Sequence, residues 1–302
     1  MNKITIKALL QGHGAIFLAT LFIAGAVVAC KQVAHTMHPL TLTLLRFVLA
    51  AISLAPIIFC KAARRKQIRR AAPRSLVISF FYSMYFVLMF AALRDTSILH
   101  VGSIGTLAPL LTAIISLIVF RTAIGWKKLG VYLIAMIGTL VVVFDGSFQA
   151  MMRFTLNSGD MVFLVATLLI SIYYIVLKGL HGGIEPIVLA FCTVIGGIIW
   201  ICAAMLVMRV PFDCSGLTTW SDVISLLYLA LVTTSGTAYL MQKGSTMISP
   251  SSASAYQFLS PVLVAVLGVI IMGVYPSMIG WIGAVISVAA TALLLKIDAS
   301  QK

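Results

Sequence analysis

Apolar residues along this chain fall in long unbroken runs rather than at every second or every third to fourth position. The runs lie at about 13–31, 39–60, 75–93, 97–120, 129–145, 160–178, 186–208, 222–242, 250–273 and 277–296, each bounded by charge, Pro or Gly. At about 1.5 Å per helical residue, runs of this length match the roughly 30 Å hydrocarbon layer of a bilayer. The pattern predicts an all-α membrane protein of ten transmembrane helices. The first run follows only Lys3 and Lys7, exceeds a secretory h-region and has no convincing A-x-A site, so it is expected to stay in the mature protein.

Composition removes the soluble alternatives. Of 302 residues, 62% are apolar and 9% charged, with a mean hydropathy of +1.13, a surface that no soluble fold covers. The net charge of +14 would suggest nucleic acid in a soluble protein. Its placement argues otherwise. With the N-terminus inside, 16 of the 21 basic residues fall on the cytoplasmic side and four (Lys31, Arg94, Arg153, Arg209) outside, while Arg46 lies within a span. Seven sit between 61 and 74, which reads as a positive-inside loop, the alternative being a site for anionic lipid or nucleic acid. A bacterial inner-membrane protein with both termini cytoplasmic is expected, with no nucleic-acid partner. The five cysteines show no metal spacing and read as packing residues, with a pairing of Cys30 and Cys214 left open.

The chain also resembles itself. A shift of 147 aligns Ala19-Thr20-Leu21 with Ala166-Thr167-Leu168, Lys31 with Lys178 and Pro39 with Pro186, and a shift of 152 aligns Pro109 with Pro261. Two units, 1–150 and 151–302, would then hold five helices each. An odd number of spans makes the second unit enter from the opposite side, so the repeats are inverted, an arrangement common in secondary transporters.

The candidate chemistry follows from polar residues within spans. Arg46 lies about 10 Å into the second span and reads either as a structural residue paired with Asp95, Asp145 or Asp160, or as an attractor of an anionic substrate group. Thr167, Ser171, Tyr174 and Lys178 share one face of the sixth span, and Tyr256 with Gln257 lies deep in the ninth. Such stripes face a cavity or bond neighbouring helices. Tyr82, Tyr85 and Met89 share a face of the third span, Tyr85 near its middle. His100 is the histidine available within a span for proton coupling, and no acid lies at midspan. Pro109 and Pro261 are candidate hinges, since proline removes a helical hydrogen bond and clashes with the preceding turn. The substrate-binding set is therefore Arg46, Tyr85, Ser171, Tyr174, Tyr256 and Gln257. No catalytic constellation, metal site or cofactor motif is seen: neither GxSxG nor HExxH occurs.

Several of these runs resemble the EamA family of the drug/metabolite transporter superfamily: Lys31…Pro39…Arg46-Phe47, Ser103…Pro109-Leu110-Leu111, Gly159-Asp160…Tyr173-Tyr174…Lys178, Leu227-Tyr228…Gly236-Thr237-Ala238-Tyr239 and Ala253…Pro261-Val262-Leu263. The resemblance implies a ten-helix secondary transporter, often an exporter of amino acids or other small metabolites, with a cavity lined chiefly by helices 1, 3, 4, 6, 8 and 9. The family's Glu after each proline is replaced here by Phe120-Arg121-Thr122 and Met272-Gly273-Val274, and its Trp-Gly in helix 1 by Leu21 to Gly25. The expectation is a carrier and not an enzyme, monomeric or homodimeric, moving small zwitterions or organic anions by alternating access; an intramembrane enzyme or channel-like facilitator is the alternative.

Overall fold

The computed structural model describes residues 3–33, 36–121, 125–153 and 155–300, which contain helices and no strand. We number the spans α1 (Lys3–Val33), α2 (Pro39–Phe59), α3 (Ala62–Asp95), α4 (Ile98–Gly105 and Ala108–Phe120), α5 (Trp126–Val143), α6 (Ser158–Leu180), α7 (Pro186–Val207), α8 (Trp220–Met247), α9 (Pro250–Met272) and α10 (Met278–Ser300). A short helix, Phe148–Met152, lies between α5 and α6. Spans α2 to α10 are each long and apolar enough to cross a bilayer, and α1 contributes the shorter apolar stretch Leu10–Ala26. In lipid a backbone must satisfy its own polar groups, which is why each apolar run closes into a helix.

Polar residues at the ends set the boundaries. The His38 ring accepts from the Leu40 amide just before Pro39, and Asn157 with Asp160 and Thr219 with Asp222 form capping boxes at α6 and α8. Each carboxylate also faces the positive end of its helix dipole.

The basic stretch 61–74, expected as a loop, is helical from Ala62 and continues into α3. It contains no Gly, and its Ala, Arg, Lys and Gln are good helix formers. The resulting 34-residue helix is about 51 Å long, more than a bilayer requires. Arg64 pairs with Glu185 at 2.7 Å and Arg70 donates to the Gly182 carbonyl at 3.0 Å, so the arm docks on the α6–α7 turn.

Close approaches hold the bundle together. A Cβ on Gly138 of α5 would lie 2.7 Å from the Ser287 nitrogen of α10, and one on Gly244 of α8 would collide with the Ile16 side chain of α1. Without a hydrophobic force between helices in lipid, such small-residue contacts and interhelical hydrogen bonds carry association. At the end of the bundle that carries the termini, Lys128 of α5 pairs with Asp298 of α10. The other Asp298 oxygen accepts from Ser249 and Ser252 at the start of α9. Asp298, two residues beyond the last apolar run, is 9% exposed and knots three helices. Cys214 is a free thiol, and the side chains of Cys30 and Lys31 lie outside the described ones.

Candidate functional site

Three spans are irregular along their length. Span α4 stops at Gly105 and restarts at Ala108; α9 runs as α-helix to Ala255, as 3-10 helix over Tyr256–Phe258, then as α-helix from Leu259; α8 is π-helical over Tyr228–Gly236. Proline explains two of them. Its ring clashes with the carbonyl four residues earlier, and the residues four before Pro109 and Pro261 are Gly105 and Gln257, each at the break. The π-helical stretch carries no proline, and the apolar run gave no sign of it.

The α9 break gathers polar groups from three spans. Gln257 Nε2 donates to the Tyr174 hydroxyl of α6 at 3.1 Å. The Tyr256 hydroxyl lies 3.1 Å from His13 Nδ1 of α1, their ring centroids 6.0 Å apart. His13 corrects the reading that His100 is the histidine available in a span. It sits at the first position of the first apolar run, but α1 begins at Lys3 and carries it three turns into the helix.

At the α4 break, the Ser171 hydroxyl shares its single proton between the Ala108 carbonyl at 3.1 Å and the Thr167 carbonyl of its own helix at 2.7 Å. Ser171 is thereby tied to the helix beside Pro109. Lys178, further along the same face, donates to the Thr246 carbonyl of α8 at 2.9 Å. The polar stripe of α6 thus bonds α4, α9 and α8 in turn.

Arg46 lies toward the opposite end of the bundle and is 1% exposed. Its Nη2 donates to Thr234 at 3.1 Å and Thr233 at 3.4 Å, and its guanidinium sits 4.5 Å from the Phe86 ring centre and 5.2 Å from that of Phe90. Both threonine hydroxyls donate to the Leu229 carbonyl, so their oxygens are left as acceptors for the guanidinium. The π-helical stretch of α8 is what presents two consecutive threonines to it. Two of the acids offered as partners are occupied elsewhere: Asp145 accepts from the Ser277 amide at 2.7 Å, and Asp160 is held by Thr96, the Asn157 amide and His100.

His100 Nδ1 is 2.7 Å from Asp160 Oδ2, and that carboxylate is fully buried. Tyr85 is half-buried on α3, its ring 5.1 Å from Phe86. The structure therefore brings Tyr174, Tyr256 and Gln257 together with His13, ties Ser171 into α4, and keeps Arg46 and His100 toward the other end. Among the described residues no group of three or more His, Cys, Asp or Glu side chains is placed to hold a metal.

The chain matches the EamA-like transporter family over residues 10–144 and 157–296. It is 25% identical to the uncharacterized transporter YyaM of Bacillus subtilis (strain 168), over 72% of this chain and 72% of that protein. It superposes on a solved structure described only as "Crystal structure of protein" with a TM-score of 0.76 and 17% identity, covering 98% of this chain and 99% of the other. That last likeness speaks for the fold alone.

Proposed function

The chain belongs to the EamA-like transporter family and is a multi-pass membrane transporter, and on that premise we propose that it exports small zwitterionic or anionic metabolites, amino acids above all, by alternating access. The observation that carries this reading is the α9 break, where groups from α1, α6 and α9 meet inside the spans. Irregular backbone at membrane depth is tolerated where it is buried in protein or lines a cavity, and carriers place substrate at such breaks. The groups gathered there are two phenols, an amide and an imidazole, with Arg46 toward the other end. None of these is a carboxylate that would hold a bare cation, whereas a guanidinium recognises a carboxylate through its fork of donors.

On this reading Arg46, Tyr85, Ser171, Tyr174, Tyr256 and Gln257 serve the substrate path, Ser171 by holding the α4 break and the others by facing cargo. Units 1–150 and 151–302 act as inverted halves, with Pro109 and Pro261 as their hinges. His100, paired with Asp160, is the candidate proton-coupling group. The protein works in a bacterial inner membrane, termini inside, as a monomer or homodimer.

Counterflow in proteoliposomes, with an amino-acid panel set against quaternary cations, tests the proposal. Exchange of neutral amino acids that is lost in Arg46→Gln supports it, and uptake of cations alone overturns it. Counterflow insensitive to a pH gradient would assign exchange or facilitated diffusion in place of proton antiport.

A further inference from the structure

Along the basic arm of α3 and the first turns of its span, the exposed positions are 65–66, 69–70, 72–73, 76–77 and 80, and those between them are buried or half-buried. Recurring every three to four residues, they form one stripe down the helix. Its chemistry changes along its length. Arg65, Lys66, Arg69 and Arg70 come first, Ala72 and Pro73 follow, and Leu76, Val77 and Phe80 continue it into the span, 37%, 46% and 36% exposed. Arg69 and Leu76 lie about 10 Å apart along the helix axis.

The opposite face fixes the arm. Gln67 Oε1 accepts from the Glu185 amide at 2.9 Å, Arg64 pairs with the carboxylate of the same residue, and Ile68 packs against the main core. Among the described residues no carboxylate pairs with Arg65, Lys66, Arg69 or Arg70. A positive-inside bias is a count of charges in a loop; it asks for no helix, no docking and no alignment with the span below. Further along the stripe, Trp200 of α7 donates its Nε1 proton to the Leu76 carbonyl at 2.8 Å. Its ring stands 5.1 Å from that of Phe80, so the apolar part of the stripe has an aromatic wall. Cations followed by apolar side chains on one line match the order of a phospholipid, an anionic headgroup over an acyl chain. Nucleic acid would match the cations alone.

We propose that this stripe binds an anionic phospholipid, its phosphate held by Arg65 and Arg69 with Lys66 and Arg70 beside them, and an acyl chain lying along Leu76 and Phe80 against Trp200. Arg70 also donates to the Gly182 carbonyl, so a headgroup bound there joins the arm to the α6–α7 turn. The site depends on the membrane-spanning fold and not on the cargo, so its failure and the failure of the transport reading are separate events.

The test places the protein in phosphatidylcholine nanodiscs with Trp126, Trp220 and Trp281 replaced by Phe, so that Trp200 alone reports. Brominated lipid, which quenches tryptophan on contact, is supplied as phosphatidylglycerol or as phosphatidylcholine. The phosphatidylglycerol should quench Trp200 at the lower mole fraction, and raising the salt concentration should narrow the gap. Arg65→Gln with Arg69→Gln should cut the preference about tenfold, since each basic residue near the surface adds to anionic-lipid binding. Lys127→Gln with Lys296→Gln, the same loss of charge at other exposed positions, should leave it, and Arg65→Lys with Arg69→Lys should keep it. Equal quenching by the two lipids with the native arm, or equal effects of the two charge-removing pairs, overturns the site. Loss of the preference on adding inorganic phosphate at matched ionic strength would mark a free-anion site, and release of the lipid by a duplex oligonucleotide would mark a nucleic-acid face; either overturns the proposal. If the Gln pair fails to fold, the lipid preference, its salt dependence and these two competitors decide on protein with the native arm.

Discussion

The Gln257 amide donates to the Tyr174 hydroxyl across 3.1 Å, so the 3-10 segment that interrupts α9 is held against the unbroken α6. A break in a membrane helix frees backbone groups that neighbours must steady. Next along the chain, Tyr256 anchors the same segment to His13 of α1. The weakest stretch of α9 is therefore pinned from two sides.

Tyr174→Phe removes the acceptor of Gln257 and should destabilise the detergent-solubilised protein by about 1–3 kcal/mol, the cost of stranding a buried polar group. Amino-acid counterflow should fall in parallel. Tyr275→Phe, at a position 73% exposed, should leave the melting temperature unchanged. Paired thermal melts of the two variants check the contrast.

Asp298 serves Lys128, Ser249 and Ser252 together. Asp298→Ala leaves a buried ammonium uncompensated and should cost about 3–5 kcal/mol, whereas Lys128→Met combined with Asp298→Leu should recover much of the loss. Thermal unfolding of both variants measures this. A double variant no more stable than the single one would mean that the serine bonds, rather than the ion pair, hold the three helix ends.

Replacing Pro109 or Pro261 with Ala restores the missing amide donor and lets the helix run through its break. If the halves are inverted, the two replacements should bias the carrier in opposite directions. Solvent accessibility of a Cys at Leu99, in the first turn of α4, and at Met247, at the other end of the bundle, should change in opposite senses in the two backgrounds, with transport slowed in both. Wild-type rates and unchanged labelling in both would remove the hinges.

Topology is tested at Lys66, which is exposed on the helical arm of α3. A Cys placed there, in a background without the five native cysteines, should resist a membrane-impermeant reagent applied to intact cells. It should react once the membrane is opened. Labelling from outside would invert the orientation drawn from the distribution of Lys and Arg.

The candidate site was legible in parts. Arg46, Tyr174, Tyr256 and Gln257 stood out because a polar side chain in an apolar run is costly wherever it points. Tyr174 and Gln257 prove to be bonded partners, but nothing in either run says so. His13 escaped because its run was taken to begin at that residue. Gln242 and Asp298 escaped for a related reason: Gln242 closes one run and Asp298 lies just beyond another, and a polar residue at the edge of a run needs no partner to be explained. The π-helical turn of α8, which offers Thr233 and Thr234 to Arg46, leaves no mark in hydropathy.

What the sequence by itself determined is the set of spans and their near-continuous helicity. Partition between lipid and water depends on local composition, and a lipid-embedded backbone has few ways to satisfy itself. The prolines likewise marked two breaks in advance, since proline acts on its own helix. What only the tertiary structure decided is which side chains meet: His13 with Tyr256, Lys128 with Asp298, Arg46 with two threonines nearly two hundred residues away. Between helices in lipid, apolar patterning does not choose partners. Close approach of small residues and hydrogen bonds between distant segments do, and those are properties of the assembled bundle.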